Sequence, residues 1–341
     1  MKDQKFIEII QDLKTVLIIS SRPLDFDCIS SGLILKKYLE SLGKKVTLMF
    51  PSKIKKEDRK FYSFLPFLNE IKDEDTRGVL KKKNFDLLIL LDGMNGAQFY
   101  DSSKNTDNPP DLNIYPTRVH IDHHVSDPEH LGTHTLQDSS YSSTMEVILD
   151  KIIPDEFIDG NIATLAYNAI SSDTGNFQWN FHPSTLKKAA FLLEKGADPF
   201  TIIDKIFFSK SKTYLQMLGL ATLNIEYLDD LKTIFLFLSY KKIQDLKLTD
   251  HQLEELKSSF SYDIARSVAG YARGIMLYEP KKGKVQLSAR GSNTQNKINL
   301  PDLFASIGAI GGGHFNACGA DIQGNFEEVK QKLIGTIKQS V

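Results

Sequence analysis

The residues Asp122-His123-His124 place one carboxylate and two imidazoles side by side, directly after the apolar run 117–121. Such a run is typical of a strand end, where an ordinary buried strand carries an apolar or small residue. Carboxylate and imidazole are common ligands of divalent metal ions. We interpret the triplet as part of a divalent-metal site, and the alternative is a polar turn after an edge strand.

Other carboxylates also follow predicted strand or helix ends: Asp25 and Asp27 after the strand 15–20, Asp92 after the strand 86–91, and Asp173 after the helix 161–172. Clustered like charges are unfavourable unless cations offset them. Carboxylates together with imidazole suit Mn²⁺, Mg²⁺ or a similar ion. Two such ions about 3.5–4 Å apart would clamp a phosphoryl group and activate water, so these residues predict a phosphoesterase.

Apolar strands and amphipathic helices alternate in the first part of the chain, which predicts an α/β fold with a mainly parallel sheet flanked by helices. The predicted strands are 15–20, 45–50, 86–91, 117–121 and 133–137, and the predicted helices are 6–13, 30–42, 142–152, 161–172 and 184–194. Ser30 or Ser31 is the expected N-cap of the second helix. Ligands collect at the carboxyl ends of parallel strands, so this sheet edge should gather the acidic residues.

The alternating pattern ends near residue 196, where helical connecting sequence leads to a second set of strands. The predicted strands are 233–239, 274–278 and 284–290, and the predicted helices are 249–269, 301–308 and 326–338. The run Gly311-Gly312-Gly313-His314 is predicted as a loop whose backbone N–H groups can approach an anion closely. We therefore predict a catalytic domain at 1–195, a helical linker at 196–230 and a smaller α+β domain at 231–341.

The bulk composition narrows the class of protein. The 341 residues are 41% hydrophobic and 25% charged, with a net charge of −1, and this lacks the basic excess expected of a protein that binds long nucleic acids. Two cysteines, Cys28 and Cys318, exclude a disulfide framework and a Cys-rich zinc pattern. Apolar runs are too short to cross a membrane and the first residues show no signal-peptide core, so a reducing cytoplasm is the expected location.

The order of these motifs resembles that of a known family. Asp25-Phe26-Asp27, Asp92, Asp122-His123-His124 and Asp173-Thr174-Gly175 resemble the motif set of the DHH phosphoesterase superfamily. The stretches Ser288-Ala289-Arg290-Gly291-Ser292 and Gly311-Gly312-Gly313-His314 resemble those of the DHHA1 domain. The resemblance covers nearly the whole chain. In size and compactness the chain resembles the branch of the superfamily that contains nanoRNases, pAp phosphatases and cyclic-di-AMP or linear-dinucleotide phosphodiesterases.

The resemblance implies a role for each motif residue. Asp25 would bind one metal ion. The other ion would be bound by Asp27, His123 and Asp173, and Asp92 would bind both ions. Asp92 and His124 would be the catalytic pair, with His124 facing the substrate phosphate and Asp122 supporting the local structure. Arg290, Ser292, Gly311, Gly312, Gly313 and His314 would hold the terminal phosphate or sugar of a short nucleotide.

The implied activity is hydrolysis by a metal-activated water, with one or two Mn²⁺ ions or with Mg²⁺ or another divalent metal. The implied substrates are linear dinucleotides such as pApA or pGpG, nanoRNA, pAp and cyclic-di-AMP, and the sequence does not separate them. Long nucleic acid and membrane are not expected partners, and a homodimer is left open. A family II pyrophosphatase is disfavoured because the glycine-rich segment belongs to the other type of C-terminal domain.

One position departs from the family pattern. The family usually has His four residues before the first Asp of its first motif, and this chain has Ser21 there. A neutral hydroxyl is a poor ligand for Mn²⁺, so an altered first metal position is expected. The alternative is a catalytically weakened nucleotide-binding or regulatory protein of the same fold. Cys28 lies three residues after Asp25, and packing at the helix start is favoured for it over metal ligation.

Overall fold

The computed structural model describes residues 2–22, 24–74, 76–82, 84–101, 110–124, 131–206 and 208–340. The chain divides into two compact units, Met1–Phe207 and Phe208–Val341. This division falls inside the predicted linker 196–230. Among the described residues, none of the helices combines the length and apolar composition needed to cross a membrane.

The first unit contains a five-stranded parallel sheet, which confirms the predicted fold class. Its strands are β1 (Thr15–Ser20), β2 (Lys45–Met49), β3 (Leu87–Leu91), β4 (Arg118–Asp122) and β5 (His134–Gln137). They lie in the order β2-β1-β3-β4-β5. All four neighbouring pairs are parallel. The central strands are apolar on both faces because helices or loops cover each face.

Four α-helices of the first unit's described residues precede β3 in the chain, and four more follow β5. They are α1 (Gln4–Gln11), α2 (Phe26–Ser41), α3 (Lys56–Phe61), α4 (Thr76–Lys82), α5 (Thr144–Lys151), α6 (Gly160–Asp173), α7 (Pro183–Glu194) and α8 (Pro199–Ile206). Val16 and Ile18 of β1 pack in one core with residues of α2, α5 and α6. Leu17 and Ile19 pack in another with residues of α4. Successive side chains of a strand point to opposite faces, so one strand contributes to two cores.

The start of α2 differs from the prediction, and the difference bears on the candidate site. Asp25 is the N-cap, and its carboxylate accepts a hydrogen bond from the backbone N–H of Cys28 at 2.8 Å. The predicted cap at Ser30 or Ser31 is wrong, because both serines lie buried inside the helix. A carboxylate satisfies the free N–H groups of the first turn well, and the first turn therefore includes Asp27 and Cys28.

The second unit contains a six-stranded mixed sheet with helices, in agreement with the predicted α+β class. Its strands are β6 (Ile225–Leu228), β7 (Thr233–Leu238), β8 (Arg273–Lys281), β9 (Lys284–Gly291), β10 (Ile310–His314) and β11 (Ala317–Gln323), in the order β10-β11-β9-β8-β7-β6. Its helices are α9 (Lys212–Leu223), α10 (Tyr240–Asp245), α11 (Asp250–Ser259), α12 (Leu300–Ser306) and α13 (Phe326–Ser340). Only β7 and β8 pair in parallel within this described sheet.

Two predictions for the second unit are wrong in detail. The glycine-rich run is the edge strand β10 rather than a loop, and Gly312 pairs with Gly319 in an antiparallel ladder. A Cβ added at Gly311 would lie 2.1 Å from the Gly319 carbonyl oxygen, so close strand approach explains a glycine there. The helix predicted over 249–269 ends as an α-helix at Ser259, and the π-helical segment Phe260–Ile264 follows.

Candidate metal centre

The candidate site lies at the carboxyl edge of the parallel sheet. Ser21 follows β1, Asp92 follows β3, and Asp122 is the last residue of β4. These three strands are neighbours, so their carboxyl ends bring the three residues together. The start of α2 and the end of α6 add Asp27 and Asp173 to the same cluster.

Asp27 is fully buried and held by hydrogen bonds. Its two carboxylate oxygens accept bonds from the backbone N–H of Thr144 at 2.7 Å and of Met145 at 3.0 Å. The Ser31 hydroxyl donates a third bond at 3.0 Å. The two N–H groups belong to the first turn of α5, whose positive end favours a carboxylate. Burial and the negative charge of Asp25 nevertheless raise the pKa of Asp27 to about 7.

Asp92 is 5% exposed and has a left-handed backbone with φ of 62°. Such a conformation is uncommon for a residue other than glycine, and it often occurs at functional sites. The Asp92 carboxylate accepts bonds from the Thr144 hydroxyl at 2.8 Å and from the Cys28 thiol at 2.9 Å. Burial, followed by the charges of Asp27 and Asp25, raises the pKa of Asp92 well above its ordinary value.

Asp122 turns back towards the two histidines that follow it. Its Oδ1 accepts bonds from the backbone N–H of His123 at 2.8 Å and of His124 at 3.2 Å. The same oxygen lies 2.7 Å from Nδ1 of the His124 ring. Burial alone would lower the pKa of His124, but the bond to Asp122 and the charges of Asp92 and Asp122 outweigh it and raise this pKa to about 9.

His123 lies between carboxylates from two different elements. Its Nε2 is 3.6 Å from an oxygen of Asp92 and 3.4 Å from an oxygen of Asp173. Potential ligand atoms form three overlapping groups, each with all its atoms within 4.8 Å of one another: Asp27-His123-Asp173, Asp92-His123-His124 and Asp25-Cys28-Asp92. The sheet edge therefore gathers all the predicted ligand residues into one cluster.

The donor set fits a divalent metal centre. Burial is the largest cause that raises the pKa of Asp25, Asp27, Asp92 and Asp173, and repulsion between neighbouring carboxylates adds to it for Asp27, Asp92 and Asp173. A divalent cation would relieve both effects. The oxygen and imidazole ligands of Asp27, His123 and Asp173 suit Mn²⁺ or Mg²⁺.

Ser21 is 1% exposed, and its surroundings are filled by protein atoms. The Ser21 hydroxyl lies 3.5 Å from the Cys28 sulfur and donates a hydrogen bond to the main-chain oxygen of Asp92. A Cβ added at Gly93 would lie 2.8 Å from the Cβ of Ser21. Cys28 is thus the side chain with a potential ligand atom in contact with Ser21, the position where the family pattern has histidine.

The substrate-binding residues predicted for the second unit lie on or next to two strands, β9 and β10, which are separated by β11. Arg290 on β9 pairs with Ala317 on β11, which in turn pairs with His314 at the end of β10. Ser292 follows β9, and its hydroxyl accepts a bond from the backbone N–H of Gln295 at 3.3 Å. Arg290 and His314 therefore lie in one row across β9, β11 and β10, with their side chains on the same face of the sheet.

Sequence reasoning missed Thr144 and Arg266, and it favoured a packing role for Cys28 over metal ligation. Thr144 donates to Asp92, and its place at a helix start after Ser143 was its only signal. Cys28 was assigned to packing at the helix start, and the structure places its thiol 2.9 Å from the Asp92 carboxylate. Arg266 had no motif; its guanidinium donates to the main-chain oxygen of Asn316 at 3.4 Å, and the N–H of Gly291, next to Arg290, donates to the same oxygen.

Comparisons with known proteins agree with this architecture. Residues 15–170 match the family model described as the DHH family, N-terminal domain. The bifunctional oligoribonuclease and PAP phosphatase NrnA of Thermus thermophilus is 26% identical over 326 residues, which cover 93% of this chain and 87% of that protein.

Solved structures share the fold at lower identity. An exopolyphosphatase-related protein from Bacteroides fragilis superposes with a TM-score of 0.78 at 22% identity, over 98% of this chain and 95% of that chain. RecJ from Thermus thermophilus, solved with Mn²⁺, superposes with a TM-score of 0.50 at 13% identity, over 98% of this chain and 54% of that chain. Residues 15–170 of the first unit are therefore identified as an N-terminal domain of the DHH family, and the solved structures share the fold of the chain.

Proposed function

We propose that this protein hydrolyses phosphate esters of short nucleotides in a reaction that depends on a divalent metal. The observation that carries the proposal is that Asp27, His123 and Asp173 offer ligand atoms within 4.8 Å of one another, and that Asp92 adjoins this group through His123. The name of the Thermus thermophilus relative supports oligoribonucleotides and pAp as substrate classes. Linear dinucleotides such as pApA and pGpG, nanoRNA and cyclic-di-AMP belong to the same class of short substrate.

Two sets of side chains would bind two metal ions. Asp27, His123 and Asp173 would hold one ion, and Asp25 would hold a second together with Asp92, which adjoins both groups. Mn²⁺ is the proposed ion, with one or two per chain, and Mg²⁺ or another divalent ion would fit the same oxygen ligands. When bound, such ions polarise a phosphoryl oxygen and lower the pKa of water so that it can attack phosphorus.

His124 would act on the substrate rather than on the metal. Asp122 holds Nδ1 at 2.7 Å, which fixes the orientation of the ring. The hydrogen bond to Asp122 favours the protonated ring, in which Nε2 can donate a hydrogen bond to a phosphoryl oxygen. A positioned donor of this kind stabilises charge that develops in the transition state.

The second unit would bind the substrate end. Arg290, Ser292 and the strand Ile310–His314 are the proposed contacts, and Arg266 adds a second guanidinium close to the main chain of Gly291, next to Arg290. Arginine suits phosphate because its planar fork can donate two parallel hydrogen bonds. A few contacts of this kind agree with a net charge of −1, which does not favour binding along many phosphates.

The test is a substrate panel with purified protein and Mn²⁺: pApA, pGpG, pAp, cyclic-di-AMP and short oligoribonucleotides, with long single strands and pyrophosphate as comparisons. We expect turnover of at least one short nucleotide, loss of turnover with a chelator, and slow reaction on the comparison substrates. Faster hydrolysis of long strands or of pyrophosphate would refute the proposed substrate class.

A second candidate function follows from Ser21. Without an imidazole at this position, the same fold could bind a short nucleotide and turn it over poorly, as a regulatory protein would. This reading predicts retained dinucleotide affinity with no turnover under any divalent metal. Equilibrium binding of pApA and pAp, measured beside the turnover assay on the same preparation, separates the two functions.

A further inference from the structure

The ligand group Asp25-Cys28-Asp92 contains a sulfur atom. The Cys28 sulfur lies 2.9 Å from Oδ2 of Asp92, and the three potential ligand atoms all lie within 4.8 Å of one another. Ligand atoms lie about 2.0–2.3 Å from a bound zinc ion. Three ligand atoms that lie within 4.8 Å of one another can therefore reach one shared ion.

The local structure explains why Cys28 faces this space. Asp25 is the N-cap of α2 and binds the backbone N–H of Cys28, so both residues belong to the same first turn. Residues three apart in a helix lie on the same face. Cys28 is 1% exposed, and it lies between Ser21 and Asp92, the two residues that follow the central strands β1 and β3.

Ser21 cannot supply the missing ligand. Its hydroxyl donates to the main-chain oxygen of Asp92, and a neutral hydroxyl is a weak metal ligand. The sulfur of Cys28, which can bind a metal strongly, lies 3.5 Å from the Ser21 hydroxyl. A thiolate is a stronger ligand than a hydroxyl for most transition-metal ions.

We propose that Cys28 is a metal ligand in this protein, together with Asp25 and Asp92, at the position where the family resemblance implies a histidine in place of Ser21. This inference rests on the metal centre of the proposed function. On binding, the Cys28 thiol releases its proton to solvent and a sulfur–metal bond forms, with no change in oxidation state. A position with one sulfur and two oxygen ligands favours Zn²⁺, Fe²⁺ or Co²⁺ over Mn²⁺ and Mg²⁺.

The competing explanation is that Cys28 remains a thiol and only donates a hydrogen bond to Asp92. Replacing Cys28 by Ser separates the two, because the serine hydroxyl keeps the hydrogen bond and loses the thiolate. Cys318 supplies a matched control, since it is the only other cysteine and is buried in the second unit, on β11. Its replacement by Ala removes a thiol without touching the metal centre.

The experiment loads metal-depleted full-length protein with Co²⁺ and records the near-ultraviolet absorption for thiolate-to-cobalt charge transfer. We expect the band in the unmodified protein and in C318A, and its absence in both C28S and C28A. Titration should show that C28S loses at least about tenfold in Co²⁺ and Zn²⁺ affinity at one position, since removing even a group that only orients a ligand costs about 10–100-fold. Mn²⁺ affinity at that position should fall by less.

Bound Co²⁺ without a charge-transfer band in the unmodified protein would overturn the inference, as would a band that persists in C28S. Turnover of the nucleotide panel, measured on the same preparations, keeps the two proposals apart. A band with no turnover of any nucleotide would leave Cys28 as a ligand and refute the proposed function. Turnover without a charge-transfer band would support the proposed function and refute Cys28 as a ligand. Failure to bind any divalent ion would refute both proposals.

Discussion

Asp92 connects the two parts of the candidate metal centre. Its carboxylate lies 3.6 Å from His123 on one side and 2.9 Å from Cys28 on the other. The left-handed backbone at this position turns the chain sharply after β3, and Gly93 then passes close to Ser21. A residue with contacts on both sides should matter for every ion in the centre.

Replacing Asp92 with Asn keeps the size of the side chain and removes its charge. We expect turnover of short nucleotides to fall by about a thousandfold or more, because metal ions contribute several kcal/mol to such reactions. Metal content measured by elemental analysis should fall with it. Asp12→Asn, at an exposed position after α1, is the matched control and should change neither quantity. Near-normal turnover in D92N would contradict the central role of Asp92.

His123 and His124 are adjacent in the sequence but have different neighbours. His123 lies within 3.4 Å of Asp173, whereas His124 is held by Asp122. We expect His123→Gln to lower metal affinity, and His124→Gln to retain metal while kcat falls about a hundredfold through loss of a donor to the transition state. Metal titration beside steady-state kinetics checks this. Equal loss of metal in both variants would show that the roles are not divided.

The first turn of α5 is the structural element that fixes the acidic cluster. Its backbone N–H groups hold Asp27, and the Thr144 hydroxyl holds Asp92, so one helix end positions carboxylates from α2 and from the end of β3. Ser143 caps this helix through a bond from the Glu146 N–H. A shift of this helix start would disturb both halves of the centre together.

Thr144→Val removes the hydroxyl and keeps the shape of the side chain. Asp92 would lose the 2.8 Å bond that orients it, and we expect metal affinity to fall about 10–100-fold, the usual cost of losing a group that orients a ligand. Thr144→Ser retains the hydroxyl and should restore most of the affinity. If valine and serine variants bind metal equally well, the hydrogen bond does not position Asp92.

The whole first unit carries an electrostatic cost when no metal is bound. Asp25, Asp27, Asp92 and Asp173 all have raised pKa values in the folded protein, first because they are buried. The folded state therefore binds more protons than the unfolded state at intermediate pH. Its free energy of unfolding should fall as pH rises through this range, and metal binding should offset the loss.

For Asp27 the window runs from the ordinary pKa of 3.8 to the folded pKa of about 7. Below this window the Asp27 carboxyl is protonated in the folded and in the unfolded state, so it does not lower the free energy of unfolding. Above the window it is ionised in both states, and the full destabilisation is present. We expect Mn²⁺ to raise the thermal midpoint more at about pH 8 than at about pH 5, because ligands must be deprotonated. Trp179, the only tryptophan, reports unfolding of the first unit by fluorescence.

The control for this measurement replaces MnCl₂ with NaCl of equal ionic strength, which screens charge without occupying the centre. NaCl should shift the midpoint little at either pH. A metal-dependent rise that is equal at both pH values, or larger at about pH 5, would contradict the linkage to these carboxylates.

The second unit should affect binding without affecting metal. Arg290→Ala removes a guanidinium from the proposed phosphate contacts, and a hydrogen bond with a charged group is worth about 1.5–3 kcal/mol. We therefore expect KM for short nucleotides to rise about tenfold or more while metal content stays constant. Lys282→Ala, in the exposed turn before β9, is the matched control for loss of a positive charge. A fall in metal content in R290A would contradict this separation of roles.

The sequence alone predicted the parallel sheet and most element positions, because apolar runs such as 15–20 and 86–91 have few alternatives to buried strands. The strand 15–20 has the predicted bounds, and the strand 86–91 begins one residue later. The cap of α2 was predicted wrongly because Asp25, Ser30 and Ser31 are all good cap residues. The glycine run was predicted as a loop because glycine usually weakens a strand. The sequence does not show that the backbone of this run lies close to β11.

The order of the acidic motifs predicted the resemblance to the DHH family that residues 15–170 confirm, and the set of candidate ligands, since parallel strands present their carboxyl ends at one edge. Only the tertiary structure decided which atoms meet. It turned Asp122 towards the histidines and brought Thr144 to Asp92 across a long stretch of chain. It also placed the Cys28 sulfur beside Ser21. Side-chain contacts between distant elements depend on how the helices pack on the sheet, and no local pattern around residue 28 contains that information.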